Sequence, residues 1–326
     1  MNPFFSGGMS ASEVEALLAA ARSGDARWND RRNLRASYFA GDDVVAVAAS
    51  AFASYFGANA LYGALAYPSL PRLEAEVVEI LLQLFQAPNG AIGSVTSGGT
   101  ESIFMAVKTA RDWARARRPE IRHPNFVVPR TAHAAFSKAA DLLGIEVKRM
   151  TRSPKFRADL EAMAAAIDDR TIMLVGSAPP YAYGVVDPIA EIAALAEQHG
   201  LWMHVDACVG GMVLPFVRDL GRRVPAFDFA VPAVKSLSVD LHKYGYAFHG
   251  CSALLLREAG LAEYQRYHFD QWPVGAYTTT NLVGSRSGGP VASAWAVMKY
   301  LGAAGYRERV ARMLEAKDRL IEGIGR

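Results

Sequence analysis

From about residue 90 onward, short apolar segments alternate with longer stretches whose hydrophobic residues recur at helical spacing. The apolar segments lie at residues 126–128, 172–175, 202–205 and 253–256. Helical patterns cover residues 71–85 and 188–198, and Pro188 suits the first turn of the second pattern. Strands that alternate with helices form mostly parallel sheets covered by helices on both faces. The sequence therefore predicts an α/β fold of this kind.

Both ends of the chain differ from this alternating region. Ser12 followed by Glu15 fits a capping box that opens a helix reaching Arg22. Arg, Glu and Leu residues at about positions 306–321 predict a last helix, and no further strand follows it. We therefore predict an N-terminal arm and helical segment over residues 1–58, a large α/β domain over 59–300 and the start of a C-terminal segment over 301–326.

Composition excludes several classes of protein. The net charge of +3 is dispersed along the chain, which predicts no nucleic-acid partner. The two cysteines, Cys208 and Cys251, form no CxxC pair, so we expect neither a metal site nor a disulfide scaffold. So few cysteines fit a protein of the reducing cytoplasm. The apolar stretch at 44–56 is shorter than the roughly 20 residues that span a bilayer. We recognise no signal peptide or membrane anchor.

The segment SGGTES at 97–102 is the first motif that carries chemistry. Gly98 and Gly99 precede a long helical pattern, so the backbone can approach a ligand closely and free amides at the helix start can bind an anion. The segment is neither a Walker loop nor GxGxxG. Alone, such a glycine-rich turn is more often structural than functional.

Asp206, in the segment HVDAC, stands at the end of an apolar strand, where ligands gather in open α/β sheets. A half-buried carboxylate needs a cationic or hydrogen-bonding partner, and a protonated pyridine nitrogen is such a partner. Taken by itself, the same aspartate fits equally well as a helix cap or a turn residue.

Lys243 follows His242 in the apolar context SVDLHKYG. Lysines are rarely buried without a partner, and a desolvated lysine with a lowered pKa reacts readily with a carbonyl group. A surface lysine is the more common interpretation of this residue alone. The order of an anion-binding turn, a strand-end carboxylate and a lysine within one domain is more specific, because pyridoxal 5'-phosphate (PLP) needs all three. We therefore predict PLP as the cofactor.

Four strings carry a family resemblance: SVTSGGTESIFMAVKTARD, TAHAAFSKAADLLG, HVDACVGGMVLPF and SVDLHKYGYAFHGCS. Together they resemble sphingosine-1-phosphate lyases, within the group II decarboxylase family of fold-type I PLP-dependent enzymes. The resemblance spans residues 59–306 and implies a fold-type I, transferase-like architecture. Because that family continues into a smaller C-terminal domain, the resemblance also implies that this domain is truncated or missing here.

The resemblance implies roles for individual residues. Lys243 would form the Schiff base with the cofactor, and Asp206 would pair with its pyridine nitrogen. His133 would stack on the ring face, although it could instead cap the helix that follows. Cys208 would pack beside the cofactor without chemistry of its own. The groups around the cofactor phosphate would be Gly98, Gly99, Thr100 and His242.

Other implied residues concern the partner subunit and the substrate. Ser285 would reach the phosphate of the neighbouring subunit's cofactor, which implies a homodimer with shared active sites. The family usually has a lysine six residues after the Schiff-base lysine, where this chain has His249. Asn59 keeps a family asparagine near the substrate, whereas Tyr62 stands about where a histidine is usual. Tyr38 corresponds loosely to a substrate-contacting tyrosine, or it packs within the arm.

The implied reaction cleaves a phosphorylated long-chain base, such as sphingosine-1-phosphate, into a long-chain aldehyde and phosphoethanolamine. The same cofactor motifs also serve decarboxylases that act on glutamate, aspartate or tyrosine, and the motifs do not separate these two activities. A third alternative is a dimeric scaffold that has kept the fold and lost turnover. The presence of Lys243, Asp206 and His133 argues against that alternative.

Overall fold

The computed structural model of the protein describes residues 7–26, 29, 37–151 and 153–325. The chain divides into two compact units, Met1–Phe39 and Ala40–Arg326. The first unit contains helix α1 (Ala11–Ala21), where Ser10 Oγ accepts from the Glu13 amide and the Glu13 carboxylate accepts from the Ser10 amide. The predicted pairing of Ser12 with Glu15 is therefore wrong, because the capping box lies two residues earlier.

The second unit contains the remaining helices, which pack around a sheet. They are α2 (Asp42–Tyr55), α3 (Gly63–Ala66), α4 (Ser69–Leu84), α5 (Gly99–Arg117), α6 (Ala135–Leu143), α7 (Leu160–Ala166), α8 (Ile189–Gln198), α9 (Leu214–Asp219), α10 (Ala262–Gln265) and α11 (Gly289–Ile324). Helix α4 buries Leu70, Val77 and Leu81 on one face, as their helical spacing requires. Helices α4 and α8 confirm the two helical patterns at residues 71–85 and 188–198.

The strands form a seven-stranded sheet and a separate two-stranded ribbon. They are β1 (Ile92–Thr96), β2 (Asn125–Pro129), β3 (Glu146–Met150), β4 (Thr171–Ser177), β5 (Trp202–Asp206), β6 (Val234–Asp240), β7 (Ser252–Leu256), and the ribbon strands β8 (Tyr267–Phe269) and β9 (Tyr277–Thr279). The sheet order is β1-β7-β6-β5-β4-β2-β3. Strand β7 runs antiparallel to both neighbours, and the other pairings are parallel. The mostly parallel sheet confirms the predicted fold class.

The four predicted strands correspond to β2, β4, β5 and β7, whereas β1, β3 and β6 were not predicted. Strand β3 has the sequence EVKRM and is only partly buried, because it lies at the edge of the sheet. Strand β6, VKSLSVD, is almost completely buried although it carries a lysine, two serines and an aspartate. Polar residues on a buried strand hide the apolar pattern that identifies such strands.

The hydrophobic core lies on both faces of the sheet, since successive strand residues point in opposite directions. Phe126 and Val128 pack in one buried cluster together with residues of α5 and α6. Val127, between them, joins a second cluster that includes residues of α4, α8 and α11. Helices thus cover both faces, as the parallel sheet requires.

The last helix, α11, is longer than the predicted segment at 306–321. It bends at Gly302, whose backbone angles (φ 54°, ψ 179°) lie outside the helical range. The boundaries at 58–59 and 300–301 remain predictions. Among the described residues, the helices lack the combination of length and apolar character that crossing a bilayer requires.

Candidate active site

One edge of the sheet holds the candidate site. Strands β1, β2, β4, β5 and β6 all run in the same direction, so their carboxyl ends meet there. Open α/β sheets bind ligands at this edge. A cleft of about 450 Å³ opens at these strand ends. It brings together the predicted residues Gly98, Gly99, Thr100, His133, Asp206, Cys208, His242, Lys243 and His249.

The start of α5 forms an anion-binding turn at one side of the cleft. The first hydrogen bond within this helix runs from the Ser102 amide to the Gly98 carbonyl. The amides of Gly99 and Thr100 therefore remain outside the helix's own hydrogen bonds and can bind an anion. A Cβ atom at Gly99 would lie 2.8 Å from Asp240 Oδ1 and 3.0 Å from Cys208 Sγ. Only glycine fits at this position without displacing those two side chains.

Glu101 holds this turn in place, and it was not among the predicted site residues. Its Oε2 accepts a hydrogen bond from the Ser97 amide at 2.6 Å. Its Oε1 accepts from the amides of Leu282 and Val283, at 2.7 and 3.3 Å. One buried carboxylate thus joins the anion-binding turn to the loop that carries Ser285.

Asp206 is the last residue of β5 and is only 7% exposed. Its Oδ1 accepts a hydrogen bond from the Cys208 amide at 3.1 Å and lies 3.5 Å from the Ser238 hydroxyl. Burial raises the pKa of Asp206 above the usual aspartate value, against the opposing effect of the hydrogen bonds from Cys208. A cationic group in the cleft would relieve this cost by pairing with the carboxylate.

Lys243 lies beside a second buried carboxylate, Asp240. Its Nζ is 2.8 Å from Asp240 Oδ2, and Asp240 is only 2% exposed. Burial lowers the pKa of Lys243, but the charge and hydrogen bond of Asp240, together with smaller effects of its other neighbours, outweigh burial, so the net pKa lies above the ordinary lysine value. The lowered pKa suggested by the sequence is therefore wrong for this arrangement. The amine is held as an ammonium ion by its neighbour.

Asp240 is the main residue that the sequence interpretation missed. Its Oδ1 is buried and has no hydrogen-bond partner among the residues that the structure describes. The available signal was its position, three residues before Lys243 at the end of β6. Strand ends at this edge supply ligand-binding groups, as Asp206 does on the neighbouring strand.

Three histidines lie around the cleft. The Nδ1–H of His242 donates to the Cys251 carbonyl at 2.7 Å, and burial lowers the pKa of His242 below its usual value. The ring of His249 lies 5.2 Å from that of His242, between centroids. The amide of Ala135 donates to Nδ1 of His133 at 3.1 Å, so this histidine caps α6 and lines the cleft as well. The capping interpretation is confirmed, and stacking on the cofactor ring stays a prediction.

The other predicted residues lie outside the lining of this cleft. Asn59 Nδ2 donates to Ser285 Oγ at 2.9 Å, and the Ala60 amide donates to the Arg286 carbonyl. Tyr62 is 48% exposed and follows in the same short turn. We call Asn59, Tyr62 and Ser285 the exposed patch. Tyr38 belongs to the first unit, so its substrate role stays a prediction.

The chemistry of the cleft fits PLP in three respects. Free amides at the start of α5 can take the phosphate, Asp206 can take a protonated ring nitrogen, and Lys243 supplies an amine for the aldehyde. Cys208 is buried between these groups, and burial raises the pKa of its thiol well above the usual value, which leaves it uncharged.

Comparison with known families agrees with this geometry. The pyridoxal-dependent decarboxylase conserved domain matches residues 23–326. The chain belongs to the pyridoxal-dependent decarboxylase family. PLP is the cofactor of this family, and the fold of the chain is accordingly that of fold-type I PLP enzymes.

Among proteins of this family, the chain is 38% identical over 314 residues to a sphingosine-1-phosphate lyase of Dictyostelium discoideum, covering 95% of the chain and 58% of that protein. The solved structure of a sphingosine-1-phosphate lyase from Burkholderia pseudomallei K96243 matches with a TM-score of 0.86 at 35% identity, covering 93% of the chain and 71% of that one. The chain therefore spans less than two thirds of the length of the Dictyostelium relative.

A probable L-tyrosine/L-aspartate decarboxylase of Methanocorpusculum labreanum is also similar, at 39% identity over 259 residues. This match covers 79% of the chain and 68% of that protein. The family therefore includes relatives named for both of the activities that the motifs leave open.

Proposed function

We propose that the protein is a PLP-dependent carbon–carbon lyase that cleaves a phosphorylated long-chain base to a long-chain aldehyde and phosphoethanolamine. The observation that carries the proposal is the cleft, where Lys243, Asp206 and the start of α5 line one space. The similarity to sphingosine-1-phosphate lyases over 95% of the chain supports this substrate class.

The proposed cofactor contacts are those assembled in the cleft. The amides of Gly99 and Thr100 hold the phosphate with His242 nearby, and Gly98 provides the turn. Asp206 pairs with the ring nitrogen, because a buried carboxylate with a raised pKa gains most from a cationic partner. His133 covers the ring face, since the cap on α6 holds its imidazole at the cleft.

When bound, PLP supplies an aldehyde for amines and a ring that accepts electrons from a breaking bond. The contribution of Lys243 is to move a proton. Asp240, at 2.8 Å, keeps the free amine in its ammonium form. Once released, Lys243 can donate a proton to the substrate carbon that has lost its aldehyde fragment. A buried carboxylate beside the lysine thus keeps a proton available on Nζ.

The part of the site that would bind the substrate phosphate lacks the lysine that is usual in the family. His249 occupies the position where the family resemblance implies a lysine, and a histidine carries its charge only conditionally near neutral pH. Its ring lies beside that of His242, and both histidines line the cleft. We propose that His249 contacts the substrate phosphate, while His242 stays beside the cofactor phosphate.

The second candidate function is decarboxylation of an amino acid. It is supported by the similarity to the Methanocorpusculum labreanum protein, which covers 79% of the chain. In that case the bond cleaved joins Cα to a carboxylate. The cofactor contacts and the role of Lys243 are the same for both reactions, so only the products distinguish them.

We further propose a homodimer in which Ser285 serves the neighbouring subunit's cofactor. In support, Ser285 is exposed and bonded to Asn59, outside the lining of the cleft of its own chain. We propose a cytoplasmic location as well. In support, Cys208 and Cys251 are both free and buried.

The test is an assay of the purified protein with sphingosine-1-phosphate, in which aldehyde and phosphoethanolamine are measured. We expect both products from the wild-type protein and neither from a Lys243→Ala variant. Carbon dioxide released from glutamate, aspartate or tyrosine, without aldehyde, would favour the decarboxylase. A purified protein with no near-visible absorption of bound PLP and no turnover would favour a scaffold that has lost activity.

A further inference from the structure

A row of buried polar side chains lies behind Asp206. Trp202 and His204 belong to β5, and Ser236 and Ser238 belong to the adjacent strand β6. All four are fully buried. The strand register places His204 opposite Ser236 and Asp206 opposite Ser238. Burying a polar group costs free energy unless the group is hydrogen-bonded, so each of these four side chains needs a hydrogen-bond partner.

The hydrogen bonds of this row run in one direction, from Trp202 towards Asp206. An indole nitrogen can only donate, so Nε1 of Trp202 donates to Ser236 Oγ at 2.8 Å. Nδ1 of His204, also at 2.8 Å, can accept the Ser236 hydroxyl proton. On this assignment the proton of the neutral His204 ring is on Nε2.

From Nε2 the row continues to the cleft. The Nε2–H of His204 donates to Ser238 Oγ at 3.3 Å. The Ser238 hydroxyl in turn donates to Oδ1 of Asp206 at 3.5 Å. The Cys208 thiol also donates to Ser238 Oγ, at 3.4 Å. Every donor in the row thus points towards the carboxylate that lines the cleft.

His204 stays neutral throughout, because burial lowers its pKa to about 3. Its ring is also held from the side, with the Phe136 ring at 6.0 Å in an edge-to-face arrangement. The tautomer is therefore fixed by Ser236 on one side and the ring position is fixed by Phe136.

We infer that His204 is a positioning residue that acts through Ser238 to hold Asp206 ionised and oriented towards the ring nitrogen of PLP. The Cys208 amide and Ser238 both contact Oδ1, which leaves Oδ2 for the cofactor. The inference rests on the proposed role of Asp206. It is independent of the substrate, so it holds for a lyase and for a decarboxylase alike.

A merely structural role for the row predicts a different outcome. If the hydrogen bonds only satisfied buried groups, their loss would destabilise the fold and leave the bound cofactor unchanged. If they position Asp206, their loss weakens cofactor binding and lowers protonation of the ring nitrogen. The two roles therefore separate when folding stability and the state of the bound cofactor are measured in the same variants.

The test compares the holoenzyme with His204→Leu, which removes the donor, and Ser238→Ala, which breaks the link to Asp206. Two readouts are needed: the dissociation constant of PLP by equilibrium dialysis, and the nitrogen NMR shift of bound PLP labelled with ¹⁵N in its ring. We expect about tenfold weaker binding for His204→Leu and about threefold for Ser238→Ala, each with a shift towards unprotonated nitrogen. His204→Gln retains a donor and should restore part of both.

Two further variants keep the outcome decisive. Thr109→Val removes a buried hydrogen bond within α5, to the Met105 carbonyl, and should leave both readouts unchanged. Asp206→Asn should move the nitrogen shift furthest. If it does not, Asp206 does not pair with the ring nitrogen, and the inference about His204 is overturned as well. If Asp206→Asn moves the shift but folded Ser238→Ala and His204→Leu do not, the positioning role alone is overturned. Should His204→Leu fail to fold, Ser238→Ala decides.

Discussion

The cleft and the exposed patch differ in how completely one chain builds them. In the cleft, Asp206 and Asp240 are 7% and 2% exposed, and Lys243 is paired directly with Asp240. In the exposed patch, Tyr62 is 48% exposed and Ser285 is exposed as well. A buried and paired group is already held in position for its ligand, whereas an exposed group needs a further contact to hold it in position. We therefore expect the cleft to bind cofactor with its own residues and the exposed patch to act on a partner copy.

The largest effect should come from filling the anion-binding turn. In Gly99→Val, the new side chain would collide with Asp240 Oδ1 and Cys208 Sγ, which lie 2.8 and 3.0 Å from the Cβ position. We expect PLP affinity to fall roughly 100-fold, or about 2.7 kcal/mol, in equilibrium dialysis. Gly260→Ala is the matched control, because its Cβ position has no atom within 4 Å. Normal affinity in a folded Gly99→Val would remove the turn from the site.

Asp206→Asn should separate cofactor binding from stability. Loss of the charge weakens pairing with the ring nitrogen, and we expect about 30-fold lower PLP affinity. Without cofactor the variant should instead melt higher, by about 2 °C near neutral pH. Burial raises the pKa of the Asp206 carboxyl, so near neutral pH the ionised carboxylate destabilises the folded, cofactor-free chain. Asparagine carries no charge and therefore removes this cost.

The pH dependence of that melting temperature has a definite sign. For the cofactor-free wild-type protein, the contribution of Asp206 favours folding at low pH. It is lost as the pH rises from the ordinary aspartate pKa of about 4 through the raised value. Melting curves across this range should therefore converge with those of Asp206→Asn at the acid end. Identical curves at all pH values would contradict the raised pKa.

A smaller effect should follow from restoring a fixed charge at the mouth of the cleft. His249→Lys places an ammonium beside His242, whose ring is now 5.2 Å from that of His249. If His249 contacts the substrate phosphate, we expect KM for the phosphorylated substrate to fall about fivefold, because lysine carries a permanent charge. His199→Lys, exposed at the end of α8, is the control. An unchanged KM would place the phosphate elsewhere.

The smallest effect should come from the exposed patch. Ser285→Ala should weaken PLP binding about threefold, the size of one hydrogen bond. The loss should appear at protein concentrations where dimers form and disappear on dilution to monomers, as followed by analytical ultracentrifugation beside dialysis. Ser54→Ala, another exposed serine, is the control. A loss that persists in monomers would show that Ser285 acts within its own chain.

The sequence was sufficient to identify those candidate residues of the cleft that follow a strand or begin a helix. Asp206 ends β5, Gly98 and Gly99 begin α5, and Lys243 lies just after β6. Each of these positions has a recognisable local pattern. The predicted central strands were correct for the same reason, because β2, β4, β5 and β7 are short apolar runs.

The remaining features depend on contacts between distant parts of the chain. Asp240 lies three residues before Lys243, but its closeness to the anion-binding turn depends on the approach of the Gly99 backbone. Ser236 and Ser238 make β6 look polar in sequence, yet their hydroxyls are satisfied by Trp202 and His204 on the neighbouring strand. The first half of α11 was missed because Gly289, Pro290 and Gly302 interrupt its pattern. Tertiary hydrogen bonds and packing override local pattern at all of these positions.

The central claim is that the amine of Lys243 bonds covalently to the cofactor aldehyde. The most direct test is to reduce the PLP-loaded protein with borohydride, digest it and locate the pyridoxyl group by mass spectrometry. We predict a single modified lysine in the peptide that contains His242, Lys243 and Tyr244. A label on another lysine, such as Lys108 or Lys235, or no label on a protein that has bound PLP, would contradict the account.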